Sequence, residues 1–167
     1  LIRRGTSSIK KPMAKKAVRV FLDSNVIRSG LISDKGAPRI CLDLLTLKLP
    51  FLSGSTGRFN LMEIERNLKK KMPKMLPVYR KYLPLLHLKI IPLPSPQEVG
   101  AFAQTIADKD APVLASAIKG KADFLVTGDK QHFQKLKTEK RYPLQIVTPA
   151  EFVDRLLPEI LKEMGEI

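Results

Sequence analysis

Short, uninterrupted apolar runs alternate along this chain with longer segments whose apolar residues recur every three or four positions. The runs Val18-Arg19-Val20-Phe21-Leu22 and Phe124-Leu125-Val126 have the β-branched, apolar character of strands buried on both faces of a parallel sheet. Further strands are predicted at Pro50–Ser53, Leu88–Leu93 and Leu144–Val147, with Leu88–Leu93 at a sheet edge because prolines crowd around it. Helical spacing predicts Gly36–Leu47, with Ile40, Leu44 and Leu47 on its apolar face, and Arg58–Met72, with Leu61, Ile64 and Leu68 on its own. Shorter helices are predicted at Val78–Leu86, Gln97–Thr105, Val113–Lys119 and Lys130–Lys137. Thr148-Pro149-Ala150-Glu151 starts a terminal helix whose apolar side is Phe152, Leu156, Ile160 and Leu161. Strands alternating with helices define an α/β class with a mainly parallel sheet.

Residues 1–17 break this pattern. They show no hydrophobic periodicity and read as a disordered basic arm, leaving one domain over 18–167. The sequence starts at Leu1 rather than methionine, and Met13 is an alternative start. The arm lacks the apolar core of a signal peptide, and no run approaches a membrane span. Cys41 is the only cysteine, which fits a reducing cytoplasm and a small buried apolar residue. The 30 Lys plus Arg against 16 Asp plus Glu give a formal +14. A surface that basic attracts a polyanion, with nucleic acid the leading candidate, although charge alone also fits a merely soluble protein.

The candidate chemistry lies in the acids. Asp23 follows the first strand at once, where a dinucleotide-binding fold would carry glycine, so that reading is poor. Asp129, after Thr127-Gly128, sits just past the carboxyl end of a second central strand, where open α/β sheets bind ligands. Asp110 shares the inward face of Val113, Leu114 and Ala117, with Asp108 as a cap before the helix. The middle helix offers Glu63 and Glu65, and spacing does not choose between them. With Asp123 these acids would form a cluster that is costly unless cations neutralise it, and oxygen-only ligands select Mg²⁺ or Mn²⁺. Two such ions ~3.5–4 Å apart would suit in-line phosphodiester cleavage, one activating water and the other stabilising the leaving oxygen. Lys69-Lys70-Lys71 and Lys130 are candidate nucleic-acid contacts, the lysine run equally a solvated helix end. His87 and His132 lack zinc-ligand spacing, and His132 is near enough to Asp129 to touch substrate.

The motifs VFLDSNVI, EIERNL, DAPVLASA and ADFLVTGD, in that order and spacing, resemble those of PIN-domain (PilT N-terminus-like) proteins over residues 18–156. The resemblance implies a three-layer α/β/α sandwich with a mainly parallel sheet of about five strands. It also implies a metal-dependent ribonuclease using Mg²⁺ or Mn²⁺, of a group that includes toxins of toxin–antitoxin pairs. RNA substrate, an antitoxin protein and a homodimer are the implied partners. On this resemblance Asp23, Glu63, Asp110 and Asp129 are the catalytic metal-binding acids, Glu63 being chosen by its spacing to Leu68. Asp123 joins the metal set, and Ser24, Asn25 and Thr127 support it. The competing readings are an RNA-binding module without cleavage and a PIN nuclease of RNA processing or flapped DNA.

Overall fold

The structure is a computed structural model and describes residues 17–102, 106–133 and 144–165. Five strands form one wholly parallel sheet: β1 (Val18–Leu22), β2 (Leu52–Gly57), β3 (Lys89–Ile91), β4 (Phe124–Val126) and β5 (Gln145–Val147). Their order across the sheet is β3-β2-β1-β4-β5, so the two apolar runs that dominate the sequence lie side by side at its centre. The period of two along β1 sends Val20 and Leu22 to one face and Phe21 to the other. The first face packs on α1 (Ser24–Ile32), α2 (Ala37–Thr46), α3 (Arg58–Lys71) and α4 (Met75–Tyr82). Phe152 and Ile160 of the terminal helical segment close the same core. Phe21 faces α6 (Ala111–Lys119) together with Phe102, Ile106 and Phe133. The result is the expected three-layer α/β/α sandwich.

Several boundaries differ from the sequence reading. The second strand is not Pro50–Ser53 but Leu52–Gly57, LSGSTG, which reads as a turn because it is nearly free of large apolar residues. Its small residues reflect close packing: a Cβ on Gly54 would lie 2.8 Å from one Leu45 methyl and 3.0 Å from Leu88. Gly54→Ala is therefore expected to lower stability by about 1–3 kcal/mol, checked by urea denaturation. The face assigned to α2 is also shifted. Ile40 and Leu47 are exposed, and Cys41, Leu42, Leu44 and Leu45 form the buried side. The helix expected at Val78–Leu86 begins earlier, at Met75, and tightens into a 3₁₀ turn over Leu83–Leu86. Asp110, not Asp108, occupies the N-cap position of α6.

The third strand lies at the sheet edge, as predicted, but is only three residues long. α5 (Pro96–Gly100) is shorter than its predicted span, of which 103–105 lie outside the described residues. The helix predicted at Lys130–Lys137 is a 3₁₀ turn, Lys130–Phe133, as far as described. The arm predicted over 1–17 lies outside the described residues except for Ala17. The terminal helix does start with a capping box: Thr148 Oγ1 accepts from Glu151 N–H, and the Glu151 carboxylate accepts from Thr148 N–H. After α7 (Pro149–Glu151) it passes through a π-helical turn, Phe152–Leu156, which nothing in the apolar spacing announced, into α8 (Leu157–Gly165). Leu161 of its predicted apolar side is exposed. No described helix is long and apolar enough to cross a membrane.

Candidate active site

Because β1 and β4 are adjacent and parallel, the residues that follow them emerge at the same carboxyl edge of the sheet. Asp23 leaves β1 and is the N-cap of α1, where its Oδ1 accepts the Ser24 N–H at 2.7 Å. The Asp23 Oδ2 accepts from the Thr127 hydroxyl at 2.8 Å, and the same hydroxyl oxygen accepts the Asp129 N–H at 3.0 Å. Thr127 thus fixes both acids through one buried side chain. Asn25 ties the edge from the other side, donating to Asp129 Oδ2 at 2.8 Å and accepting the Gly128 N–H at 2.9 Å.

The third acid comes from α3. Ser24 Oγ donates to Glu63 Oε1 at 2.6 Å, whereas Glu65 is turned outward to Arg80 at 3.0 Å. The geometry therefore selects Glu63, which spacing could not do. Asp110 completes the group from the start of α6. Its side chain makes no cap hydrogen bond, and its Oδ2 is buried without a hydrogen-bond partner, 3.4 Å from His132 Nδ1. Asp23, Glu63, Asp110 and Asp129 all line one cavity of about 100 Å³.

The electrostatics of this cavity are unfavourable to its own charges. Burial pushes the Asp23 carboxyl up to about 6, against the hydrogen bonds from Thr127 and Ser24, and the nearby Glu63 and Asp129 raise it further. Burial also raises Asp110, opposed by His132 and Lys109. Two buried carboxyls held above their ordinary range, one facing only the His132 ring, form a donor set that a hard cation would satisfy. Among the described residues, no three His, Cys, Asp or Glu side chains are gathered tightly enough to close on an ion.

Asp123 does not belong to the set. It precedes β4, at the opposite edge of the sheet, and its Oδ2 accepts the Arg19 N–H at 2.9 Å. Of the candidate nucleic-acid contacts, Lys69, Lys70 and Lys71 are exposed in the last turn of α3. Lys130 is committed elsewhere: its ammonium sits 2.7 Å from both Glu151 oxygens and, with the Thr148 N–H, draws that carboxyl down to about 2.

Sequence reasoning missed Asn60, Arg28 and Lys109. Asn60 is fully buried and donates to Asp23 Oδ1 at 3.1 Å and to Ser24 Oγ at 2.9 Å. It had a signal, since it lies four and eight residues before Ile64 and Leu68 and so is the polar residue on the buried stripe of α3. Gly57, before it, has no room for a side chain: a Cβ would lie 2.8 Å from Asn60 Oδ1. Arg28 and Lys109 line the cavity with His132 and bring positive charge beside the acids.

The PIN domain family matches residues 19–131, which contain all four acids. The chain belongs to the PIN-domain family. Its fold is similar to that of VapBC2 from Rickettsia felis, bound to a DNA fragment from its promoter, at 17% identity and a TM-score of 0.55 over 78% of this chain and 98% of that one. FitAcB from Neisseria gonorrhoeae matches at 20% identity and a TM-score of 0.56, again over 78% and 98%. VapBC-1 from nontypeable Haemophilus influenzae matches at 16% identity and 0.54, over 80% and 99%. No curated protein matches this PIN domain in sequence.

Proposed function

We propose that this PIN domain is a Mg²⁺- or Mn²⁺-dependent endoribonuclease, acting as the toxin of a toxin–antitoxin pair. The observation that carries the nuclease reading is the convergence of Asp23, Glu63, Asp110 and Asp129 on one cavity, with Asp23 buried and its carboxyl raised to about 6. The toxin reading is supported by the likeness to two VapBC structures and FitAcB, within a family that includes toxins.

When bound, the metal would supply a water nucleophile at neutral pH and a counter-charge for the leaving oxygen. The chain's own residues do the rest. Asp23 and Asp129, locked together through Thr127, present two carboxylates from one rigid edge. Glu63 and Asp110 face them from α3 and α6. Arg28 and Lys109 offer cationic contacts to a phosphate brought against the acids.

The test is cleavage of a labelled single-stranded RNA in EDTA, Mg²⁺ or Mn²⁺, with wild type beside Asp129→Asn. Cutting is expected only with metal, and the substitution should reduce it by roughly 10²–10⁴-fold, the equivalent of several kcal/mol of lost stabilisation. Binding without cutting in any divalent ion would replace the nuclease with an RNA-binding module. Growth arrest on expression, relieved by the product of an adjacent small gene, would separate a toxin from an RNA-processing nuclease.

A further inference from the structure

The edge of the sheet opposite the acids carries a second constellation, of reversed sign. Arg19 pairs in register with Ser53 across β1 and β2, and Ser55 pairs with Lys89 across β2 and β3. These four positions lie on the α6 face, where β1 and β3 continue into the core through Phe21 and Ile91. A purely structural sheet would extend the apolar pattern here. Arginine, serine, serine and lysine stand there instead, and the last residues of α6 with the turn after it, Lys119, Gly120 and Lys121, close the other side. Together they enclose a cavity of about 320 Å³, larger than the acidic one and lined by four cations and no carboxylate.

The dipole at the carboxyl end of α6 accounts for Lys119 and Lys121. It does not account for Arg19 and Lys89, which enter from strands. Glu98, 3.5 Å from Lys119, and Asp123, held by the Arg19 backbone, are the acids beside this group. Lys121 is also in the left-handed region at φ 56°, where glycine is the ordinary choice after a helix. A second cavity, which touches Ser53, opens on the other face of the sheet beside Lys48, His87 and leucine side chains. Four cations and two serine hydroxyls, spread over three strands and a helix end, fit successive phosphates of a polymer better than a single small anion.

We propose that this amino edge is a docking site for the sugar–phosphate backbone of a single-stranded nucleic acid, remote from the acids that would cut it. The proposal rests on the reading that nucleic acid is the substrate. The two edges are separated by about 13 Å along β1, from Arg19 to Asp23, so only a substrate longer than a few nucleotides engages both.

The experiment measures fluorescence anisotropy of a labelled 20-nucleotide single-stranded RNA in EDTA over a salt series, with wild type beside Lys89→Gln/Lys121→Gly. Affinity is expected to fall on the order of tenfold, and the slope of log affinity against log salt to become shallower by about 0.7 for each phosphate no longer neutralised. The Lys121→Gly change should raise the unfolding midpoint while weakening binding, which a damaged fold could not do. Unchanged affinity and slope in a folded variant overturn the proposal. So does loss of polyglutamate binding with RNA binding intact, which would assign the edge to an acidic protein. Because the metal is chelated, a wild type that binds but never cuts when Mg²⁺ is restored rejects the nuclease reading alone. Variants that bind as wild type does reject only this site.

Discussion

Asp23→Asn is expected to abolish cleavage and, at the same time, to make the metal-free PIN domain more stable at neutral pH. The two effects share one cause. Asp23 is buried, its carboxyl is pushed up to about 6 against an ordinary 3.8, and the largest contribution is burial itself. A group whose folded value is raised contributes stability that is full below its unfolded value and is lost as pH rises through its folded value. The metal-free wild type should therefore lose stability between about pH 4 and pH 7, by roughly 1–3 kcal/mol. The asparagine keeps the shape without the charge, its Oδ1 accepting from Ser24 and Asn60 and its amide facing the Thr127 oxygen, so its stability should be flat across that window. Cleavage should drop by roughly 10²–10⁴-fold because a ligand to the essential cation is gone. Urea denaturation at pH 4.5, 6 and 7.5 in EDTA checks the first effect and RNA cleavage in Mn²⁺ the second. A variant that cuts RNA at the wild-type rate would remove Asp23 from the metal site.

The sheet centre was legible because Val20–Leu22 and Leu125–Val126 are buried on both faces, and two-sided burial leaves adjacent apolar residues. The same logic hid β2, where close neighbours leave no room for a side chain at Gly54 and Gly57 and small polar residues fill the positions between. Asp23 and Asp129, placed by strand ends, lie together at the carboxyl edge because β1 and β4 run parallel. Asp123 was misplaced because it precedes its strand, and in a parallel sheet the two ends of a strand lie at opposite edges. Glu63 and Glu65 could not be separated by periodicity, since both flank the buried stripe. What separates them is a partner from another element, Ser24 for one and Arg80 for the other. Long-range hydrogen bonds of that kind leave no trace in local spacing.

Thr127→Val is expected to disable the site while leaving every acid in place. Valine matches threonine in shape, so the fully buried position stays filled. What is lost is a hydroxyl with two duties. The Asp23 carboxylate gives up the side-chain donor that most opposes the burial effect, and the Asp129 N–H loses its acceptor. Leaving such buried groups unsatisfied costs about 1–3 kcal/mol of stability. Asp23 then holds its proton to a higher pH, so a cation must compete harder to displace it. The metal concentration giving half-maximal cleavage should rise about 10- to 100-fold, the usual scale for removing a partner that orients a ligand. Thr127→Ser restores the hydroxyl but not the methyl group, and should recover metal dependence while remaining less stable than wild type. That separation distinguishes orientation of the acids from packing: if serine and valine behave alike in a metal titration of cleavage, the hydroxyl has no role in positioning Asp23 and Asp129. Recovery by serine alone would instead assign the geometry of both acids to this one oxygen, the point where β1 and β4 are joined at the edge that carries the site.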